Sequence, residues 1–199
     1  MKCAGAPQKI MWLSWDQWRK RNVPVDITFA TGLGKMFGVE RYNATLEALR
    51  KERGIPALFG HNLKEVEGSE AVFDAPDGET KRVKFDMLHA VPPMGPYDFV
   101  KKSALANKDG YVDVDEGTLQ HNRFPNVWSL GDASSLPTSK TAAAVTAESQ
   151  VLLSNLVAAM QGKEEGSAIY NGYTSCPIPT DHGHLLLCEF KYGGVPHET

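Results

Sequence analysis

Val127-Trp128-Ser129-Leu130-Gly131-Asp132, followed by Leu136-Pro137-Thr138-Ser139-Lys140-Thr141-Ala142-Ala143-Ala144-Val145, decides how this 199-residue chain is read. Residues 126–130 predict a strand that runs straight into Gly131. A glycine there lets the backbone pass close to a ligand, and Asp132 can accept hydrogen bonds from a polyol. Residues 138–160 are the longest stretch with helical character. Small residues crowd its start, where a helix presents its positive end and admits a close neighbour.

Working outward, residues 9–20 read as a short amphipathic helix with a basic end. Pro24 resets the chain, and residues 25–30 predict a buried strand. Gly32-x-Gly34-x3-Gly38 follows it, but the third glycine is one position late for a dinucleotide fingerprint, and no acidic residue ends a strand about 20 residues on. It reads as a plain glycine turn. Residues 41–53 carry a helical period stopped by Gly54. Strands are predicted at 57–61 leading toward Val66, at 70–73 and at 82–91, with the Asp77-Gly78 hairpin signal between the last two. Pro92-Pro93-Met94-Gly95-Pro96 is the strongest break in the chain. Beyond it come a strand at 111–115, the strand and helix quoted above, a Tyr-Thr-Ser-Cys-Pro turn and an apolar strand at 185–188. Strands alternating with helices make the chain α/β.

Composition narrows the function classes. Hydrophobic residues make up 42% and charged residues 23%, ordinary values for a soluble globular protein. A net charge of −3 implies no basic face for nucleic acid. No uninterrupted apolar run approaches the roughly 18 residues that span a bilayer, and no charged segment followed by an apolar one opens the chain. Three cysteines, Cys3, Cys176 and Cys188, are too few for a disulfide scaffold, and no C-x-x-C points to a metal. Cys3 and Cys176 lie in turn-like sequences beside proline, whereas Cys188 sits in an apolar run and reads as a small hydrophobe. His182 and His184 are two apart before a strand, which points them to opposite faces rather than at one metal.

Six segments in order carry a family resemblance: Lys2-Cys3-Ala4-Gly5-Ala6-Pro7-Gln8-Lys9-Ile10-Met11, Leu119-Gln120-His121, Pro125-Asn126-Val127, Gly131-Asp132, the stretch from Leu136 to Val145, and Tyr173-Thr174-Ser175-Cys176-Pro177. Nearly the whole chain resembles the eukaryotic-type sulfide:quinone oxidoreductases. The resemblance implies a disulfide-reductase-like flavoprotein with tandem Rossmann-like domains, of which this chain is an internal or C-terminal piece. The unit that binds the FAD pyrophosphate is expected upstream, and the membrane-attaching region downstream. Residues 1–95 are expected to be most of the second domain, NAD-like but not NAD-binding. Residues 96–160 are expected to return to the FAD domain, and 161–199 to begin the C-terminal part.

The same resemblance implies the chemistry. Cys3 and Cys176 match the redox cysteines, linked in the resting enzyme through a bridging sulfur. Sulfide attacks at Cys176 and leaves a persulfide there, and the sulfur released at Cys3 passes its electrons to FAD and on to ubiquinone. The persulfide goes to a small thiol or sulfite. Gly131 and Asp132 match the ribityl contact, Lys140 and Thr141 open the helix facing the flavin ring, and Pro137 and Thr138 match the quinone side. No metal is implied. Location on the matrix side of the mitochondrial inner membrane is implied, with membrane contact through regions outside this chain. Two other readings stay open on the residues alone. One is a different flavoprotein on this scaffold, such as a type II NADH dehydrogenase, which calls for a proper NAD fingerprint and no cysteine pair. The other is a truncated product that binds a partner or is inert.

Overall fold

A computed structural model describes Cys3, residues 5–163 and residues 168–198. Backbone contacts divide the chain into two compact units. One comprises Met1–Ala4, Pro93–Cys176 and Leu187–Thr199; the other comprises Gly5–Pro92 and Pro177–Leu186.

The second of these units opens with helix α1, Ala6–Lys20, which carries proline in its first turn and Arg19 and Lys20 in its last. Strand β1, Phe29–Thr31, pairs in parallel with β2, Ala57–Phe59, through helix α2, Glu40–Glu52. This βαβ connection is the local form of the α/β order. Trp12, Met36, Phe37, Tyr42, Leu46 and Ile55 are buried in the unit. Gln8 Nε2 donates to Met36 O at 2.9 Å, tying α1 to the glycine-rich turn. In that turn a Cβ on Gly32 would collide with Asn62, while Gly34 and Gly38 have open space beside them. Strands β3 (Asn62–Glu67), β4 (Glu70–Asp74) and β5 (Thr80–Lys84) follow as an antiparallel meander. The Asp77-Gly78 turn joins β4 to β5, with Gly78 at φ 84°.

Two strand expectations in this unit are corrected. The first strand is only Phe29–Thr31 and is half-buried, because pairing is confined to the three residues that face β2; Val23 and Val25 are exposed. The strand expected at 82–91 ends at Lys84, where the partner β4 ends.

The other unit holds helix α3 (Asp98–Lys101), a 3₁₀ turn at Gly131–Ala133 and helix α4, Ala142–Met160. The expected strands at 111–115 and 126–130 are isolated bridges: Val112 pairs with Ala106 and with Ser134, Val114 with His121, and Trp128 with Gln120. Pairing stops because the chain turns within a few residues. Asp115 Oδ1 accepts from the Gly117 and Thr118 amides and bends the backbone. Val112, Val114, Leu119, Leu136 and Tyr170 form the core of this unit.

Helix α4 starts four residues later than its sequence period suggests, because Thr141 is its N-cap; Thr141 Oγ1 accepts from the Ala144 amide at 3.0 Å. Although no uninterrupted apolar run exists, α4 is by length and composition apolar enough to cross a membrane, with a mean hydropathy of 1.2. Glu148 and Asn155 lie on its buried face, and both are hydrogen-bonded inside the unit, so that face packs on protein.

Strands β6 (Thr174–Asp181), β7 (His184–Lys191) and β8 (Val195–Pro196) form a sheet in that order, and β6 and β7 contribute to both units. The turn expected around Cys176 is therefore part of a strand. Pro177 and Pro179 are accommodated because β6 is an edge strand, where proline removes no ladder bond. Cys176, Ile178 and Thr180 face inward, alternating with the two prolines. In the second unit Arg53 anchors this strand. Its guanidinium lies 4.2 Å over the Trp15 ring, donates to Thr180 O, and pairs with Asp181 Oδ2 at 2.9 Å. Hydrogen bonding from His184, then from Arg53, holds the Asp181 carboxyl below the usual carboxylate range. Arg53→Gln should lower stability by about 1–3 kcal/mol in equilibrium denaturation, the sum of a lost stacking contact and charge-assisted hydrogen bonds; Lys102→Gln, whose partner Asp98 is as exposed as itself, should leave it unchanged.

Candidate active site

Two groups of expected site residues lie in one unit, and a pair of threonines connects them. The first group is the sulfur pair. Cys3 Sγ and Cys176 Sγ stand 3.5 Å apart although 173 residues separate them. Cys176 is fully buried on β6 and Cys3 is half-buried. Cys188 is fully buried on β7.

The second group surrounds the Gly131 turn. Gly131 adopts φ 64°, and a Cβ there would press on Val145 at 3.1 Å, so both conformation and packing require glycine. The Gly131 amide donates to Glu148 Oε2 at 2.7 Å. Its carbonyl accepts from Ser134 Oγ at 2.8 Å and from Lys140 Nζ at 3.2 Å. Lys140 Nζ also donates to Ser134 O at 2.6 Å and lies 4.9 Å over the Tyr111 ring. The Lys140 side chain therefore reaches back to the turn. Asp132 is exposed and lines a cavity of about 480 Å³, together with Pro96, Tyr97, Phe99, Leu105 and Ala133.

Thr141 Oγ1 lies 2.9 Å from Thr174 Oγ1, and Thr174 Oγ1 also bonds Ser139 O at 3.2 Å. The capped start of α4 is thus fastened to β6 two residues before Cys176. Thr138 Oγ1 donates to Gly172 O at 2.9 Å and makes a second tie to the same segment, while Pro137 is exposed.

Glu148 is the residue that sequence reasoning passed over. Burial pushes its carboxyl above the usual range, against the lowering influence of the Gly131 amide and the Lys140 charge. A glutamate seven residues after the cap, on the face that also carries Thr141 and Ala144, was the available signal. Burial likewise pushes the Tyr170 phenol up, with the Glu148 charge adding to it.

Comparison with known proteins adds the family. The chain is 49% identical to the mitochondrial sulfide:quinone oxidoreductase of Dictyostelium discoideum over 198 residues, covering 97% of this chain and 43% of that protein. It is 47% identical to the Schizosaccharomyces pombe enzyme and 45% identical to that of Mus musculus, in each case over 100% of this chain and 45% of the relative. Over nearly its whole length the chain is similar to mitochondrial sulfide:quinone oxidoreductases. It spans less than half the length of the curated relatives it matches, all of which are named mitochondrial. No family model matches the chain. Among solved structures, a chain in the cryo-EM structure of the Tetrahymena thermophila mitochondrial ATP synthase superposes with a TM-score of 0.82 at 28% identity, over 94% of this chain and 47% of that one. The sulfide:quinone oxidoreductase of Aquifex aeolicus superposes with a TM-score of 0.76 at 17% identity, over 96% of this chain and 52% of that one. LpdA from Mycobacterium tuberculosis superposes with a TM-score of 0.55 at 16% identity, over 86% of this chain and 36% of that one. The chain shares its fold with the matched parts of these solved structures.

Thr141→Ala should cost about 1 kcal/mol, the usual worth of an N-cap, and Thr141→Ser should restore it. Cys188→Ser should cost about 1–2 kcal/mol for burying a hydroxyl in place of a thiol. Urea unfolding of the purified variants measures both.

Proposed function

We propose that this chain supplies the sulfur-transfer pair and part of the flavin contact of a sulfide:quinone oxidoreductase. In this reading hydrogen sulfide is oxidised at Cys3 and Cys176, the electrons reach ubiquinone through FAD, and the sulfane sulfur passes to a small thiol or sulfite. The enzyme works at the matrix side of the mitochondrial inner membrane. The observation that carries the reading is the 3.5 Å approach of two cysteine sulfurs from opposite ends of the chain.

That spacing suits a bridging sulfur. With S–S bonds of about 2.05 Å and a bond angle near tetrahedral, one inserted atom separates the outer sulfurs by about 3.3 Å. A direct disulfide would require the two to close by about 1.5 Å. Hydrosulfide attacks the Cys176 sulfur, the new S–S bond forms there, and the bond from Cys176 to the bridge breaks. The bond's electron pair leaves on the Cys3 side as a sulfur anion, and Cys176 holds a persulfide. The incoming sulfide sulfur is thereby oxidised by two electrons, and the bridge is reduced by two. Burial of Cys176 shelters the persulfide from bulk thiols until a small acceptor reaches it.

The residues around Gly131 fit the ribityl and ring end of FAD. Asp132 offers carboxylate acceptors at the wall of an otherwise mostly apolar cavity. Gly131 keeps the backbone low beside it, and Thr141 opens a helix whose positive end favours negative charge. Lys140 adds a cation beside the turn, and Pro137 and Thr138 lie on the quinone side. When bound, FAD accepts the electron pair and hands it to the quinone.

In a protein of the relatives' full length that carries these residues, Cys3→Ser and Cys176→Ser should each abolish sulfide-dependent quinone reduction, because one sulfur cannot form the bridge; near-normal turnover in both would reject the pair. Asp132→Ala should weaken flavin retention through loss of a charge-assisted hydrogen bond worth about 1.5–3 kcal/mol. The ratio of flavin to protein after dialysis measures it, with unchanged far-UV circular dichroism as the control for folding.

A further inference from the structure

The Gly131 peptide is gripped from both sides by side chains of the segment that follows it. Glu148 takes the amide at 2.7 Å. Lys140 and Ser134 take the carbonyl at 3.2 and 2.8 Å. Gly131 sits in the left-handed region at the start of a 3₁₀ turn, which the Ser134 amide closes by donating to Gly131 O at 3.2 Å. Glu148 is 2% exposed, and its carboxylate is buried between the turn, Lys140 and Tyr170. A carboxylate is an expensive buried acceptor, and an apolar side chain at this position of α4 would leave the Gly131 amide without its partner.

We propose that Glu148 is a positioning residue that holds the Gly131–Asp132 turn in its left-handed geometry, so that the Asp132 carboxylate faces the cavity where the flavin ribityl chain binds. The inference rests on the flavin reading of that cavity. What it adds is a residue seventeen positions from the turn that governs ligand retention without touching the ligand. The acceptor oxygen does this work, and the reach of the side chain matters more than its charge. Glutamine keeps both the oxygen and the reach; aspartate keeps the charge but is one methylene too short.

The test compares Glu148→Gln and Glu148→Asp with the unaltered protein, all at the relatives' full length, purified with flavin and dialysed. Glu148→Gln should keep the flavin-to-protein ratio and visible spectrum of the unaltered protein. Glu148→Asp should lose flavin roughly tenfold faster, the scale of one lost charge-assisted hydrogen bond. Retention by Glu148→Asp, or loss from Glu148→Gln, overturns the proposal. Hydrogen exchange of the Gly131 amide in the unaltered protein decides the matter even if a variant fails to fold: slow exchange supports the bond, and exchange as fast as at an exposed loop amide overturns it. Should the unaltered protein bind no flavin while its Gly131 amide is protected, the flavin reading fails and the hydrogen-bonded turn stands.

Discussion

Two threonine hydroxyls, Thr141 and Thr174, meet at 2.9 Å, and the candidate chemistry depends on that contact. Thr141 already caps α4 through the Ala144 amide. Because the same oxygen meets Thr174, the end of the helix and the start of β6 cannot move independently. The Gly131 turn is held to α4 by Glu148 and to the segment just before its cap by Lys140, and Cys176 lies two residues beyond Thr174. A flavin-facing turn and a sulfur-bearing strand are thereby referred to one helix terminus.

The arrangement uses ordinary components against their usual preferences. A strand carries two prolines because it lies at a sheet edge, which leaves Cys176, Ile178 and Thr180 to face inward. A glycine adopts φ 64° because Val145 excludes a larger residue and side chains bind both its peptide groups. A glutamate is buried because a backbone amide needs an acceptor. In each case a local cost is offset by a tie to a neighbouring element.

Much of this was legible from sequence, and the failures share a cause. The helices of residues 9–20 and 41–53, the Asp77-Gly78 hairpin and the long helix after Thr141 follow from periodicity, caps and turn chemistry, all of which are local. Residues 111–115 and 126–130 look like strands but form single bridges, because a strand needs partners and partners are not a local property. Cys176 was read as a turn residue because a proline follows it in Tyr-Thr-Ser-Cys-Pro, and a strand accepts that proline only at an edge. Glu148 was passed over because a glutamate in a helix is unremarkable until Gly131 is packed beneath it. The motifs containing Cys3, Cys176, Gly131 and Asp132 pointed to the family, but only the fold brings the two sulfurs to 3.5 Å.

The central claim is that Cys3 and Cys176 form the redox pair and that Cys188 stands apart from it. Mass mapping of the purified protein, alkylated and digested without reductant, tests this most directly. The account predicts one cross-linked peptide pair joining Cys3 to Cys176, heavier by one sulfur atom than a simple disulfide, with Cys188 recovered as an alkylated thiol only after unfolding. A cross-link that includes Cys188, or Cys3 and Cys176 recovered as separate thiols from active enzyme in its oxidised resting state, would contradict it.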